Sequence, residues 1–168
     1  MPTNAITPIN TVNTMGEKNF TPFGEGWELR DIIIKESTAL AAGQGLRAEI
    51  VSNTTTGKAV SASANSGINS NGNNFIGILA EPTRSTDSDY ATAGKTKKVW
   101  VPVGRQAEAR FTVGAGTFTT ADINKTCAVH SDGISLAVDT NGLGALITGY
   151  ISSTRGVCTF DIPATLTA

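Results

Sequence analysis

The stretch "EPTRSTDSDYATAGKTKKVWVPV", residues 81–103, holds the densest set of groups able to do chemistry. Glu81, Asp87 and Asp89 are hard oxygen donors, and several such oxygens suit a calcium ion. A dedicated calcium loop also needs a glycine and a distal glutamate at fixed offsets, and neither stands here. Asp and Ser side chains can instead bond their own backbone and hold a turn. Lys95, Lys97 and Lys98 then read as charges that blunt an exposed edge strand. A structured surface loop without a metal is therefore expected, in preference to an active-site loop.

Other motifs carry less. "TTTGKA" (54–59) has the ending of a phosphate-binding loop, but Ser52 stands where the first glycine belongs and Ala59 where Ser or Thr belongs. "GAG" (114–116) and "GLG" (142–144) lack the third glycine and the long helix of a dinucleotide site, and read as hairpin turns. His130 is the only histidine, so any Ser-His-Asp relay would have to use it; no nucleophile elbow accompanies it. It is expected to be structural or solvated. Cys127 and Cys158 lie in apolar runs and read as buried free thiols. No catalytic residue, cofactor or metal is expected, and no enzyme activity.

The elements that position these residues are strands. "ELRDIIIKE" (28–36) is β-branched. "LRAEIV" (46–51) alternates Leu46, Ala48 and Ile50 against Arg47, Glu49 and Val51. "FIGILA" (75–80) suits a fully buried strand. "KKVWVPV" sets Val99, Val101 and Val103 against Lys98, Trp100 and Pro102, and Pro102 points to an edge or bulge. "AEARFTV" sends Ala107, Ala109, Phe111 and Val113 inward. "CAVH", "GISLAVD", "ALITGYI" and "GVCTFDI" complete the set. The single helical signal is "TTADINK" (119–125), where Thr119 and Asp122 form a shortened capping box. Residues 63–74, "SANSGINSNGNN", read as a polar surface loop. The expected fold is mainly β: a small β-barrel or β-sandwich with one short helix and an extended N-terminal arm.

That arm spans residues 1–26, and the β-rich body residues 27–168. Pro2, Pro8 and Pro22 break helices, and Ile6, Ile9 and Val12 are scattered among Asn and Thr. Such a segment cannot build a core alone. It either frays or orders against a partner, for instance by adding a strand to a sheet edge. Ile6, Ile9 and Val12, with Phe20, Phe23 and Trp27 at the arm's end, are the expected partner contacts.

The 168 residues carry a net charge of −1, too little positive charge for a nucleic-acid partner. No apolar run is long enough to cross a membrane as a helix. The first residues lack the basic start and apolar stretch of a secretory signal, so synthesis in a cytoplasm is expected.

Taken in order, "FIGILAEPTRSTDSDYATAGKTKKVWVPV", "AEARFTVGAG", "TTADINKTCAV" and "LITGYISSTRGVCTFDI" resemble the capsid decoration, or cement, proteins of tailed bacteriophages. The likeness covers roughly residues 28–162. Asn124-Lys125-Thr126 departs from the Gly-Lys-Thr of that pattern. The resemblance implies a non-enzymatic virion protein on the outside of an expanded head, made in the host cytoplasm. It implies the phage major capsid protein as partner and a homo-oligomer, a trimer above all. A head-fibre base, a tail or baseplate module, or a carbohydrate-binding adhesion module using Trp100 and Tyr90 are the alternatives.

Overall fold

Alternating apolar and polar residues, cut by Gly, Asn and Ser turns, produce eleven strands in the described residues. The computed structural model describes residues 19–52, 54–62, 75–104, 107–142 and 144–160. The strands are β1 (Thr21–Phe23), β2 (Trp27–Ile33), β3 (Gly45–Val51), β4 (Thr54–Ser61), β5 (Phe75–Leu79), β6 (Thr96–Pro102), β7 (Glu108–Ala115), β8 (Thr126–Val129), β9 (Leu136–Ala137), β10 (Ala145–Ser152) and β11 (Arg155–Thr159). The expected helix is one 3-10 turn, Thr120–Asp122, closed by the Thr119–Asp122 capping box.

The fold is mainly β, as expected, and contains a closed barrel. β7, β11, β10, β8 and β9 pair in a ring, and β9 closes it by lying parallel to β7. β1 occupies the other part of that β7 edge, pairing Thr21–Phe23 with Glu108–Arg110. A second sheet, in the order β2-β6-β5-β3-β4, curls until Ile34 bridges Ala59.

Two apolar cores fill this arrangement, and β5 and β6 serve both. Ile78 and Trp100 face the larger core, built around Phe20, Phe111, Phe118, Ile147 and Phe160. Leu79, Val99 and Val101 face the smaller one, with Ile34, Leu40, Leu46 and Ala59. Phe75 stacks on Phe160 at 3.9 Å, while Phe20 meets Phe160 edge-on at 5.2 Å.

Four local expectations change. Of the segment expected as an arm, residues 1–18 lie outside the described residues, and with them Ile6, Ile9 and Val12; residues 19–26 are woven into the fold. The Leu46, Ala48, Ile50 face is interrupted, because a bulge between Ala48 and Ile50 turns Glu49 inward. Trp100, offered with Tyr90 as a sugar-stacking ring in one alternative, packs instead against the larger core. β6 is also no edge strand: it runs between β2 and β5. Pro102 fits because the β5 ladder ends at Trp100, so its missing N–H has no partner to lose.

Candidate functional site

The loop between β5 and β6 is tied down by its own polar groups. Asp87 Oδ2 accepts from the Arg84 N–H at 2.8 Å, and turns follow at Asp87–Tyr90 and Asp89–Thr92. Lys97 Nζ lies 3.3 Å from Asp89 and 3.9 Å from Asp87, so an ammonium stands beside both carboxylates. Lys95 is buried, donates to the Tyr90 carbonyl at 2.8 Å and sits over the Tyr90 ring. Lys98 reaches Asp31 on β2 at 2.8 Å. The three lysines thus staple the loop and the neighbouring strand, and do not blunt an edge. Among the described residues, no group of three or more His, Cys, Asp or Glu is placed to share a metal ion.

"TTTGKA" lies on strand β4, and the next element among the described residues is strand β5. Gly57 adopts a left-handed backbone there (φ 78°), and Lys58 Nζ bonds both oxygens of Glu36, at 2.7 and 2.8 Å. That bond holds the Glu36 carboxyl below its usual range. Glu49, turned in by its bulge, is paired with Lys35 and accepts from Thr56 Oγ1 at 2.8 Å, which lowers its pKa in that order of importance.

His130, Asp132 and Ser135 do come together, but with the carboxylate in the middle. Ser135 Oγ donates to Asp132 at 2.7 Å, and the Ile134 and Ser135 N–H groups donate to Oδ1 at 2.9 and 3.1 Å. His130 Nδ1 lies 3.1 Å from Asp132 Oδ2. A relay needs histidine beside serine to take its proton. Here the serine proton is already held by the carboxylate, and Ser135 is fully buried. Burial would raise the Asp132 pKa, but the bonds from Ser135, Ile134 N–H and His130 outweigh it and the net shift is downward. The unit pins a turn against β7: a Cβ on Gly114 would meet Ser135 Oγ at 2.2 Å and the His130 ring at 2.8 Å. The Asp-x-x-Ser spacing at 132–135 is the local sign of this turn, and sequence reasoning passed over it.

Cys127 and Cys158 are both buried in the barrel core and free. Burial, with the Asp122 charge adding to it, pushes the Cys127 thiol up to about 12. Burial raises Cys158 well above its ordinary value, with Cys127 and Glu108 adding to it. Neither is a nucleophile in this state.

The aromatic residues expected to touch a partner anchor the chain. Phe20 is 1% exposed, and its N–H donates to Gly43 O at 2.9 Å. It has no surface to offer, because its ring is spent on the core. Phe23 lies under the Arg110 guanidinium, and half-buried Trp27 donates its indole N–H to Glu108 O at 2.9 Å. Trp100 is likewise packed against the larger core, and Lys95 covers the Tyr90 ring. Among the described residues, the exposed large apolar ones are instead Leu29 and Ile33 on β2, Val51 and Val103, and Tyr150 and Ile151 near the β10–β11 hairpin. An open depression of about 480 Å³, lined in part by Leu40, Thr83, Arg84 and Ile134, lies beside the Ala39–Gln44 turn.

No family model, no curated protein and no solved structure matches the chain.

Proposed function

We propose that this chain is a non-enzymatic structural protein of a tailed-phage virion that binds the outside of the expanded head and bridges major capsid subunits. One observation supports this reading above others. The side chains best suited to chemistry are bonded within the chain, while apolar residues stand exposed on strands and turns. Such a molecule is built to present shape. The segments that carry the resemblance fall in order on β5 and β6, β7, the 3-10 turn with β8, and the β10–β11 hairpin.

The physical logic is linkage. Expansion of a shell creates binding geometries that the unexpanded shell lacks. A protein that binds only those geometries stabilises the expanded state by its differential affinity. Repeated weak contacts within an oligomer, a trimer by the resemblance, act at high effective concentration. The chain before Asn19 supplies a further contact through Ile6, Ile9 and Val12.

The reading is tested by peptide mass spectrometry and a density map of mature particles of the phage that encodes the chain. Recovery at copy numbers comparable with the capsid protein, and density on the outer face of the head, is expected. Absence from purified particles refutes the reading; density confined to tail or baseplate replaces it with another virion role.

A further inference from the structure

Over Trp27–Ile33, β2 has β6 on one edge, and no ladder among the described residues covers the other. The phase of the backbone can be read from its ends. Val103 N–H donates to Gly26 O and Ile34 N–H to Lys95 O, both on the β6 side, whereas Lys35 N–H donates to Ala59 O on the opposite side. Trp27, Leu29, Asp31 and Ile33 therefore aim their N–H and C=O groups outward. Glu28 to Asp31 are all exposed, and Leu29 and Ile33 remain 47% and 40% exposed.

We propose that this edge pairs antiparallel with the same edge of a second copy, across a two-fold axis at Leu29. Charge selects the register. An axis at Glu28, Arg30 or Asp31 sets that residue against itself, like charge on like. An axis at Trp27 sets Glu28 and Arg30 against glycines and Leu29 against Glu25. An axis at Ile32 or Ile33 pushes the pairing onto Ile34 and Lys35, where β4 already stands. With Leu29 on the axis, Glu28 faces Arg30 of the second copy, twice by symmetry, and Leu29 faces Leu29. The outward backbone groups of Leu29 and of Trp27 with Asp31 then meet their counterparts.

Nothing in this contact strands a charge. Glu28 and Arg30 already bond within one copy at 2.5 Å, and the same two side chains can exchange partners across the axis. Asp31 keeps Lys98. The contact stands independently of any capsid role, and it differs from a trimer, whose head-to-tail interface joins two unlike surfaces.

The test uses the full chain and three variants in sedimentation equilibrium and native mass spectrometry. The chain itself should show a concentration-dependent species of twice its 17.4 kDa mass. Glu28→Arg and Arg30→Glu should each weaken dimerisation about tenfold or more, because each places like charges across the axis. Mixing the two single variants should yield a one-to-one heterodimer that neither forms alone, since one copy then carries two cations and the other two anions, and unlike charges meet at both positions. The double variant should dimerise like the parent. A monomer at all soluble concentrations overturns the proposal. So does a dimer or trimer indifferent to the single substitutions, or a mixture that fails to form the heterodimer. The circular dichroism spectra of both variants are expected to match that of the parent, which assigns any loss of dimer to the contact and not to unfolding.

Discussion

Gly77 on β5 and Trp100 on β6 are packed so closely that a Cβ on Gly77 would stand 2.2 Å from the Trp100 backbone oxygen. The Val99 side chain follows at 2.8 Å. Neither strand can yield easily, because each separates the two cores. Gly77→Ala should therefore lower the unfolding free energy by about 1–3 kcal/mol through overpacking. Urea denaturation followed by tryptophan fluorescence checks this, and an unchanged midpoint would mean that the two strands are not so closely packed.

The thiols give a second check on the barrel. Cys127 and Cys158 should be silent toward a thiol reagent at pH 8 in the native protein and both react once it is unfolded. The sign with pH follows. The folded Cys127 thiol keeps its proton up to about 12, whereas an unfolded thiol loses it near pH 8.5, so stability should fall as pH rises through about 8.5. Midpoints between pH 7 and 10 for the parent and for Cys127→Ala measure the difference.

Acid should act through paired carboxylates. Glu49 is held down by Lys35 and then Thr56, Glu36 by Lys58, and Asp122 by Lys125 and then Thr119. Their folded pKa values lie below the unfolded ones. The stability they contribute is complete above the ordinary carboxylate range, about pH 4, and is lost as pH falls through the folded values. The thermal midpoint should stay level from about pH 7 to 5 and drop below about pH 4. Glu49→Gln should flatten that drop; an identical slope would remove Glu49 from the account.

Truncation separates the two parts of the N-terminal segment. Removing residues 1–18 should leave the thermal midpoint of the body nearly unchanged. Removing residues 1–26 takes away β1 and the buried Phe20 ring, so it should unfold the protein or lower its midpoint sharply. Phe20→Ala alone should lower stability by about 3–5 kcal/mol, measured by urea denaturation. Equal stability of both truncations would contradict the anchoring role of Phe20.

Much of the strand inventory is legible in the sequence because burial on a pleated sheet alternates, as in the stretch from Ala107 to Phe111. What escapes depends on pairing between distant segments. The strand in "GISLAVD" is legible, but only Leu136 and Ala137 of it pair, and nothing local announces that they lie parallel to β7 and close the barrel. The lysines of "KTKKVW" suggest an edge because lysine often protects edges. Their actual partners, Tyr90, Asp87, Asp89 and Asp31, are known only once β6 is placed inside its sheet. The true edge, "ELRD" on β2, shows its charges plainly, but its exposure follows from which strand stands beside it. At the candidate site, the single histidine reads from sequence as structural or solvated, while its tie to Asp132 and the buried Ser135 emerges only in three dimensions.

The most direct measurement of the central claim is co-sedimentation of the purified chain with expanded and unexpanded heads of its phage. The account predicts saturable, near-stoichiometric binding to expanded heads, little binding to unexpanded ones, and weaker binding once residues 1–18 are removed. Failure to bind expanded heads, or equal binding to both forms, would contradict it.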